Sequence, residues 1–238
     1  MATIGKVLII ALMLNFAVVE SSMAFGIPGL GGAGGEKKEG GIDIDKTTVQ
    51  FVEALWGATK LSGESVQDLY LAVGKKEEAV KMEQLLKELK NAKDKDDKDA
   101  FKKISEQINN AQKDMAQVDL EKDAKSAEGK KYVGFASLKT AVAVYLDKIA
   151  IDNAKLLGEK LPDEIKSNPM KATKLNSVLT MAKFAADTVP DNLSNLGKVV
   201  SNITKYASTN GIPSPSKDEK QKALKDAAPN ASKGGEFE

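Results

Sequence analysis

Apolar side chains recur at spacings of three and four residues through most of this chain, from Val49 to Ala207. This period places an apolar stripe along one face of an α-helix, whereas a half-buried strand alternates at every second residue. The chain has no alternating segment. It also lacks the repeat of roughly 20 to 50 residues that is typical of a solenoid. The pattern therefore predicts an all-α protein, built as an antiparallel bundle of about five to six helices.

The most regular stripe lies in a predicted helix from about Asp97 to Lys125. Its apolar residues are Phe101, Ile104, Ile108, Ala111, Met115 and Val118. This spacing is that of a coiled-coil seam, but it lasts for fewer than three heptads. We therefore expect a helix that packs antiparallel on its neighbours rather than an independent coiled coil.

Glycine and proline predict where several helices begin and end. Ser62-Gly63 indicates a break in the first helix, and Pro162 indicates the end of a long helix that begins near Lys130. Asn168-Pro169 and Pro190 each favour the start of a new helix. The large residues expected to face inward on the long helix are Phe135, Leu138, Val142, Tyr145, Ile149 and either Leu156 or Leu157.

Residues 1–24 have the pattern of a secretory signal peptide. Lys6 supplies a positive charge, an apolar run extends from Val7 to Val19, and Ser22-Met23-Ala24 is typical of a cleavage site. A retained membrane anchor is less favoured, because the run is shorter than the ~20 residues that span a bilayer. We expect cleavage near Phe25 and export to the periplasm or the extracellular medium.

The rest of the chain divides into three parts by composition. Residues 25–44 are rich in glycine and predict a flexible linker. Residues 45–211 carry the helical pattern and form the predicted bundle domain. Residues 212–238 contain three prolines and a lysine-rich segment, Lys217 to Ala228, in which Leu224 is the only large aliphatic residue. A frayed helix is the alternative for this segment, but we expect a disordered tail.

Composition excludes several kinds of chemistry. The chain has no cysteine and no histidine, and all 35 of its basic residues are lysine. Thiol chemistry, imidazole catalysis and the usual zinc sites are therefore excluded. The 35 basic residues balance 34 acidic ones, so the chain lacks the basic excess of a nucleic-acid-binding protein. We expect no cofactor and no nucleic-acid partner.

Two local motifs resemble functional sites, one a calcium-binding loop and the other a set of glycosylation sequons. Asp94, Asp96, Asp97 and Asp99 suggest a calcium loop, but Lys98 takes a ligand position and Ser105 stands where an EF-hand needs glutamate. We expect a solvated loop between helices and no metal site. Three sequons, at Asn192, Asn202 and Asn230, have the pattern for glycosylation. They are relevant only in a eukaryotic host.

Four aromatic residues are the candidates for an interaction site. Trp56 lies on an apolar stripe, and Tyr132, Phe135 and Tyr145 lie on the predicted long helix. Side chains of this kind usually pack in the core. The alternative is a groove between helices that binds an apolar ligand.

The leading functional hypothesis is an exported, non-enzymatic helical protein that acts by protein binding or self-assembly. A membrane-active, pore-forming protein is the alternative, with the helix around Ala141 to Leu146 as its most apolar part. Membrane contact is not favoured, because Lys139 and Asp147 flank that segment closely. A carboxylate-based hydrolase is a remote third hypothesis, since no spacing singles out a catalytic pair.

Overall fold

The structure, a computed structural model, describes residues 43–234, with side chains as far as Ser232. Within this range the chain forms seven α-helices and no strand. The helices are α1 (Ile44–Ala72), α2 (Lys76–Asp94), α3 (Lys98–Met115), α4 (Leu120–Asp123), α5 (Ala127–Ser167), α6 (Ala172–Asn210) and α7 (Lys217–Ala227). The predicted all-α bundle is confirmed. The predicted signal peptide and residues 25–42 of the predicted linker lie outside the described residues.

Short polar residues begin most of the helices. Asp43, Asp97, Asp119, Ser126 and Ser216 each accept a hydrogen bond from a backbone N–H in the first turn of the helix that follows. Such caps satisfy donors that the helix itself leaves unpaired, which stabilises each start by about 1 kcal/mol. Three carboxylates of the chain therefore serve as caps.

Three long helices organise the bundle. α5 runs antiparallel to α1, because Ser65 of α1 contacts Thr140 of α5 while Gly129, near the start of α5, packs against Ala72 at the end of α1. α5 and α6 also run antiparallel. α2 and α3 form a hairpin beside α1, and α3 lies parallel to α6. Neighbours in sequence are thus antiparallel, as predicted, while α3 and α6 are brought together in parallel.

The inward face of α5 agrees only in part with the predicted one, since Val142 and Leu157 are buried as predicted while Phe135 is not. Its buried stripe alternates strictly at three and four residues and consists of Val133, Ala136, Thr140, Ala143, Asp147, Ala150, Ala154, Leu157 and Leu161. Most of these side chains are small, so α1 can approach α5 closely along most of their length. The prediction that Phe135 faces inward is wrong, because this side chain is 46% exposed. Large apolar side chains are the usual choice for an inward face. The close contact between α1 and α5 favours small side chains instead.

Four predicted helix boundaries are also wrong. The helix predicted from about Asp97 to Lys125 ends at Met115. α1 continues through Ser62-Gly63, α5 continues through Pro162, and α6 continues through Pro190. A proline inside a helix costs about 3 kcal/mol. Buried residues lie on both sides of Pro190, whereas Pro162 follows the buried Leu161 and precedes only the partly buried Ile165. Gly63 permits close packing instead of a break, since a Cβ there would lie 2.9 Å from Cδ2 of Leu86.

The prediction of disorder for residues 212–238 is wrong for residues 212–234. α7 begins with a capping box, in which Ser216 and Glu219 bond each other's backbone N–H. Leu224, Ala228 and Ala231 are buried against α1 and α5. We call residues 212–232 the strap. The strap is ordered because it packs in a groove between α1 and α5, which are distant from it in sequence. The low apolar content of the strap does not predict this contact.

Candidate functional site

The four candidate aromatic residues occupy three separate places. Trp56 is 6% exposed and packs on Phe101, with ring centroids 4.3 Å apart. Phe101 in turn meets Phe184 edge-on at 6.2 Å. Trp56 therefore belongs to the core between α1, α3 and α6, as its position on an apolar stripe suggests.

Tyr132 and Phe135 form an aromatic cluster on α5, in which Phe135 is exposed and Tyr132 is partly buried against the core. Their ring centroids are 6.3 Å apart and nearly perpendicular, and Nζ of Lys131 lies 5.6 Å from the centroid of the Phe135 ring. We call Lys131, Tyr132 and Phe135 the aromatic cluster. Tyr145 lies about 15 Å further along α5. Its side chain is partly buried, and this burial raises the pKa of its hydroxyl. The structure thus brings together two of the four candidates.

A fully buried carboxyl lies on the same helix, next to the apolar segment from Ala141 to Leu146. Asp147 is 1% exposed and accepts a hydrogen bond of 2.5 Å from Nδ2 of Asn192 on α6. Burial raises the pKa of this carboxyl to about 8, against the opposing effect of the Asn192 hydrogen bond. Asp147 is therefore protonated at neutral pH. Its place on the regular stripe of α5 is the sequence signal that could have revealed it.

A small cavity of about 30 Å³ adjoins Asp147, and Leu55, Phe184 and Val189 form the apolar part of its lining. Its polar lining comes from α1, α3, α5 and α6 and consists of Thr59, Ser105, Glu106, Asn109, Asp147, Thr188 and Asn192. A space of this size holds about one water molecule. Two carboxylates line the cavity, yet it has no room for a sugar ring between them.

A second polar group lies between α1 and α5, nearer the start of α5. Nζ of Lys139 is 2.7 Å from Oδ2 of Asp68 and 4.0 Å from Oε2 of Glu64. Burial raises the pKa of Asp68, and the hydrogen bond from Lys139 opposes that rise. The hydroxyls of Ser65 and Thr140 lie 2.5 Å apart beside this group. These contacts pair the buried polar atoms across the two helices.

A larger cavity of about 220 Å³ lies at the end of the bundle where α1 begins and α6 begins. It is lined by Asp43, Ile44, Asp45, Glu164, Lys171 and Leu175. Lys171 and Asp45 approach to 3.7 Å across it. Pockets for drug-sized ligands usually enclose about 300 to 1,000 Å³ and are mainly apolar, so this polar cleft differs from them in both respects.

The aspartate-rich loop has a structural role. Asp97 caps α3 through the N–H of Ala100, and Asp96 lies 3.4 Å from Nζ of Lys98. Across residues 43–234, no group of three or more carboxylates is arranged to hold a metal ion.

Each asparagine of the three sequons donates its side-chain amide to another part of the fold. Asn192 bonds Asp147, Asn202 bonds the carbonyl oxygen of Ala116 at 2.8 Å, and Asn230 bonds Glu53 at 2.5 Å. The nitrogen that glycosylation would modify is thus engaged in a contact between helices. These three residues serve as cross-braces of the bundle.

Comparison of the chain with known protein families, with curated proteins and with solved structures finds no match. Within the part of the chain that the structure describes, none of the helices combines the length and the apolar character needed to cross a membrane.

Proposed function

We propose that the protein is exported and acts by protein binding or self-assembly in the periplasm or outside the cell, and that it has no catalytic activity. The observation that carries this proposal is the exposed aromatic cluster on α5. Phe135 presents 46% of its surface to solvent beside Tyr132 and Lys131. Aromatic side chains are enriched in the cores of protein interfaces, where a few such residues supply most of the binding energy.

The dimensions of the cavities support action through the surface. The cavity of about 30 Å³ beside Asp147 and the polar cleft of about 220 Å³ are both smaller than a usual ligand pocket. The aromatic cluster, in contrast, offers the exposed ring of Phe135 beside the nearly perpendicular ring of Tyr132 and an adjacent lysine. Phe135 is 46% exposed, so covering the rest of its surface is worth about 0.7 to 1.4 kcal/mol. A symmetric dimer would gain this contribution twice.

Self-association tests the proposal directly. We expect light scattering and sedimentation equilibrium of the purified protein to give a mass above the monomer that rises with concentration. The substitution Phe135→Ser should raise the Kd of the dimer at least about tenfold. Val80→Ser is the matched control, because Val80 is 65% exposed but lies on α2, and this variant should associate as the original protein does.

Two results would count against the proposal. One is a protein that is strictly monomeric at every concentration and retains no partner in pull-downs from its native envelope or medium. The other is equal loss of association in the Phe135→Ser and Val80→Ser variants. Anionic vesicles loaded with a fluorescent dye should remain intact when the protein is added, whereas leakage would favour the membrane-active alternative. The export part of the proposal is tested by intact mass of the protein from a secreting culture, which we expect to begin at Phe25.

A further inference from the structure

The turn between α5 and α6 presents a methionine to solvent. Met170 is the middle residue of a short 3₁₀ turn, Pro169–Lys171, and its surface is 99% exposed. Among the large apolar residues that the structure describes, the next most exposed is Val80, at 65%. The side chain of Met170 therefore packs on almost nothing in the fold.

The residues on both sides of Met170 hold this turn in place. The N–H of Lys171 donates to the carbonyl oxygen of Asn168 at 3.1 Å, and the ring of Pro169 restricts its φ. Nζ of Lys171 lies 3.7 Å from Oδ2 of Asp45, at the start of α1. The backbone is thus fixed to the bundle while the thioether of Met170 stays in water.

The three other methionines within the described residues are buried. Met82 and Met115 are each 2% exposed, and Met181 is 3% exposed. They lie on α2, α3 and α6, where a solute reaches them only when the surrounding helices open. Folding therefore separates one accessible thioether from three protected ones.

Few other side chains compete with Met170 for an oxidant. Cysteine and methionine are the residues whose sulfur a peroxide oxidises, and the chain has no cysteine. The one tryptophan, Trp56, is 6% exposed. We propose that Met170 is a site of reversible oxidation, at which a peroxide converts the thioether of the folded protein to a sulfoxide.

The reaction transfers one oxygen atom. The sulfur attacks one oxygen of hydrogen peroxide, so that an S–O bond forms, the O–O bond breaks and the second oxygen leaves as water. The sulfur loses two electrons and the peroxide gains them. Methionine sulfoxide reductases reverse the change, in which two thiols become a disulfide and the sulfoxide oxygen leaves as water.

The place of Met170 decides what the modification does to the fold. A sulfoxide is polar and chiral, and it disrupts packing when it forms in a core. Met170 has no packing to lose, whereas oxidation of the three buried methionines would open the bundle. The protein can therefore take up one oxygen atom at this turn and remain folded, independently of whether it self-associates.

Peptide mapping tests the site, because lysine residues separate the four methionines. Trypsin releases them in Met82–Lys87, Asp114–Lys122, Ser167–Lys171 and Leu175–Lys183. The folded full-length protein is exposed to hydrogen peroxide for a series of times, quenched and digested. Each sulfoxide adds about 16 Da to its peptide. We expect the sulfoxide of Ser167–Lys171 to form at least about tenfold faster than that of the other three.

The same treatment in concentrated urea is the control for accessibility, and all four peptides should then oxidise at similar rates. Equal rates in the folded protein would overturn the proposal, and so would a slower rate at Met170. A tenfold preference for Met170 that persists in urea would also overturn it, since the fold would then not be the cause.

A second measurement tests tolerance and reversal. The protein oxidised at Met170 should unfold at the same urea concentration as the untreated protein and as M170L taken through the same treatment. The two methionine sulfoxide reductases, one for each epimer, should remove the added oxygen from the folded protein when a dithiol is supplied. A lower midpoint in the oxidised original protein but not in M170L would show that Met170 has packing partners, which contradicts the proposal. Oxygen that remains after reductase treatment contradicts reversibility.

Discussion

Asn192 of α6 donates a hydrogen bond of 2.5 Å to the carboxyl of Asp147, which lies at the centre of the buried stripe of α5. The carboxyl is fully buried, and burial raises its pKa from 3.8 in an exposed aspartate to about 8. An ionised carboxylate is costly in such a place. The contact between α5 and α6 at this pair is therefore most stable when the carboxyl of Asp147 carries its proton.

The first prediction concerns the dependence of stability on pH. The unfolded chain releases the proton of Asp147 near pH 4, whereas the folded chain keeps it to about pH 8. The folded state thus binds more protons between these values, so the free energy of unfolding falls as pH rises through this window. Asp147 alone contributes a slope of up to about 1.4 kcal/mol per pH unit. Urea denaturation at pH 5 and pH 8.5 should give the higher midpoint at pH 5, and the reverse order would contradict the prediction.

The second prediction is that Asp147→Asn removes this dependence. Asparagine has nearly the same shape, carries no charge and still accepts the hydrogen bond from Asn192. We expect the variant to be similar in stability to the original protein at pH 5 and more stable by about 4 kcal/mol at pH 8.5, which is the slope above applied from pH 5 to the folded pKa. Asp163→Asn, at an exposed position of the same helix, is the control that should retain the original pH slope. A variant with the original slope at position 147 would show that another group titrates.

The third prediction concerns Gln112 on α3, which is fully buried while both polar atoms of its amide have no hydrogen-bond partner. An unsatisfied buried amide costs about 1 to 3 kcal/mol. Gln112→Met keeps the length of the side chain and removes the polar atoms, so it should raise the free energy of unfolding by a similar amount. Gln107→Met, on the exposed face of the same helix, should change it by less than about 0.5 kcal/mol. Destabilisation by Gln112→Met would indicate that the amide has a partner in solution.

The fourth prediction concerns the anchor of the strap. Leu224→Ala removes its one large buried side chain, which should weaken docking by about 2 to 5 kcal/mol. The lysines of α7 then become accessible to trypsin, and we expect cleavage there to accelerate at least tenfold while the bundle remains intact. Asp226→Ala, at an exposed position of the same helix, should leave the cleavage rate unchanged. Equal rates in Leu224→Ala and the original protein would show that Leu224 does not hold the strap.

Much of the fold could be predicted because helical periodicity is a local property. The stripe of α3 is the clearest example, since Phe101, Ile104, Ile108 and Met115 are all buried as predicted. Tyr132 and Phe135 of the aromatic cluster were candidates from the sequence, but the exposure of Phe135 was not predicted. That Phe135 faces solvent depends on which side of α5 meets α1, and a helix of mixed large and small apolar residues leaves that choice to its neighbours.

The amino-acid sequence by itself determined that the chain is helical, that its charges balance, and that thiol and imidazole chemistry are excluded. Only the tertiary structure decided that α5 buries its small residues, that helices continue through Pro162 and Pro190, and that the strap docks on α1. The physical reason is the range of the interactions. Period, capping and composition act within a few residues, whereas the partners of Asp147 and Leu224 are supplied by helices distant in sequence.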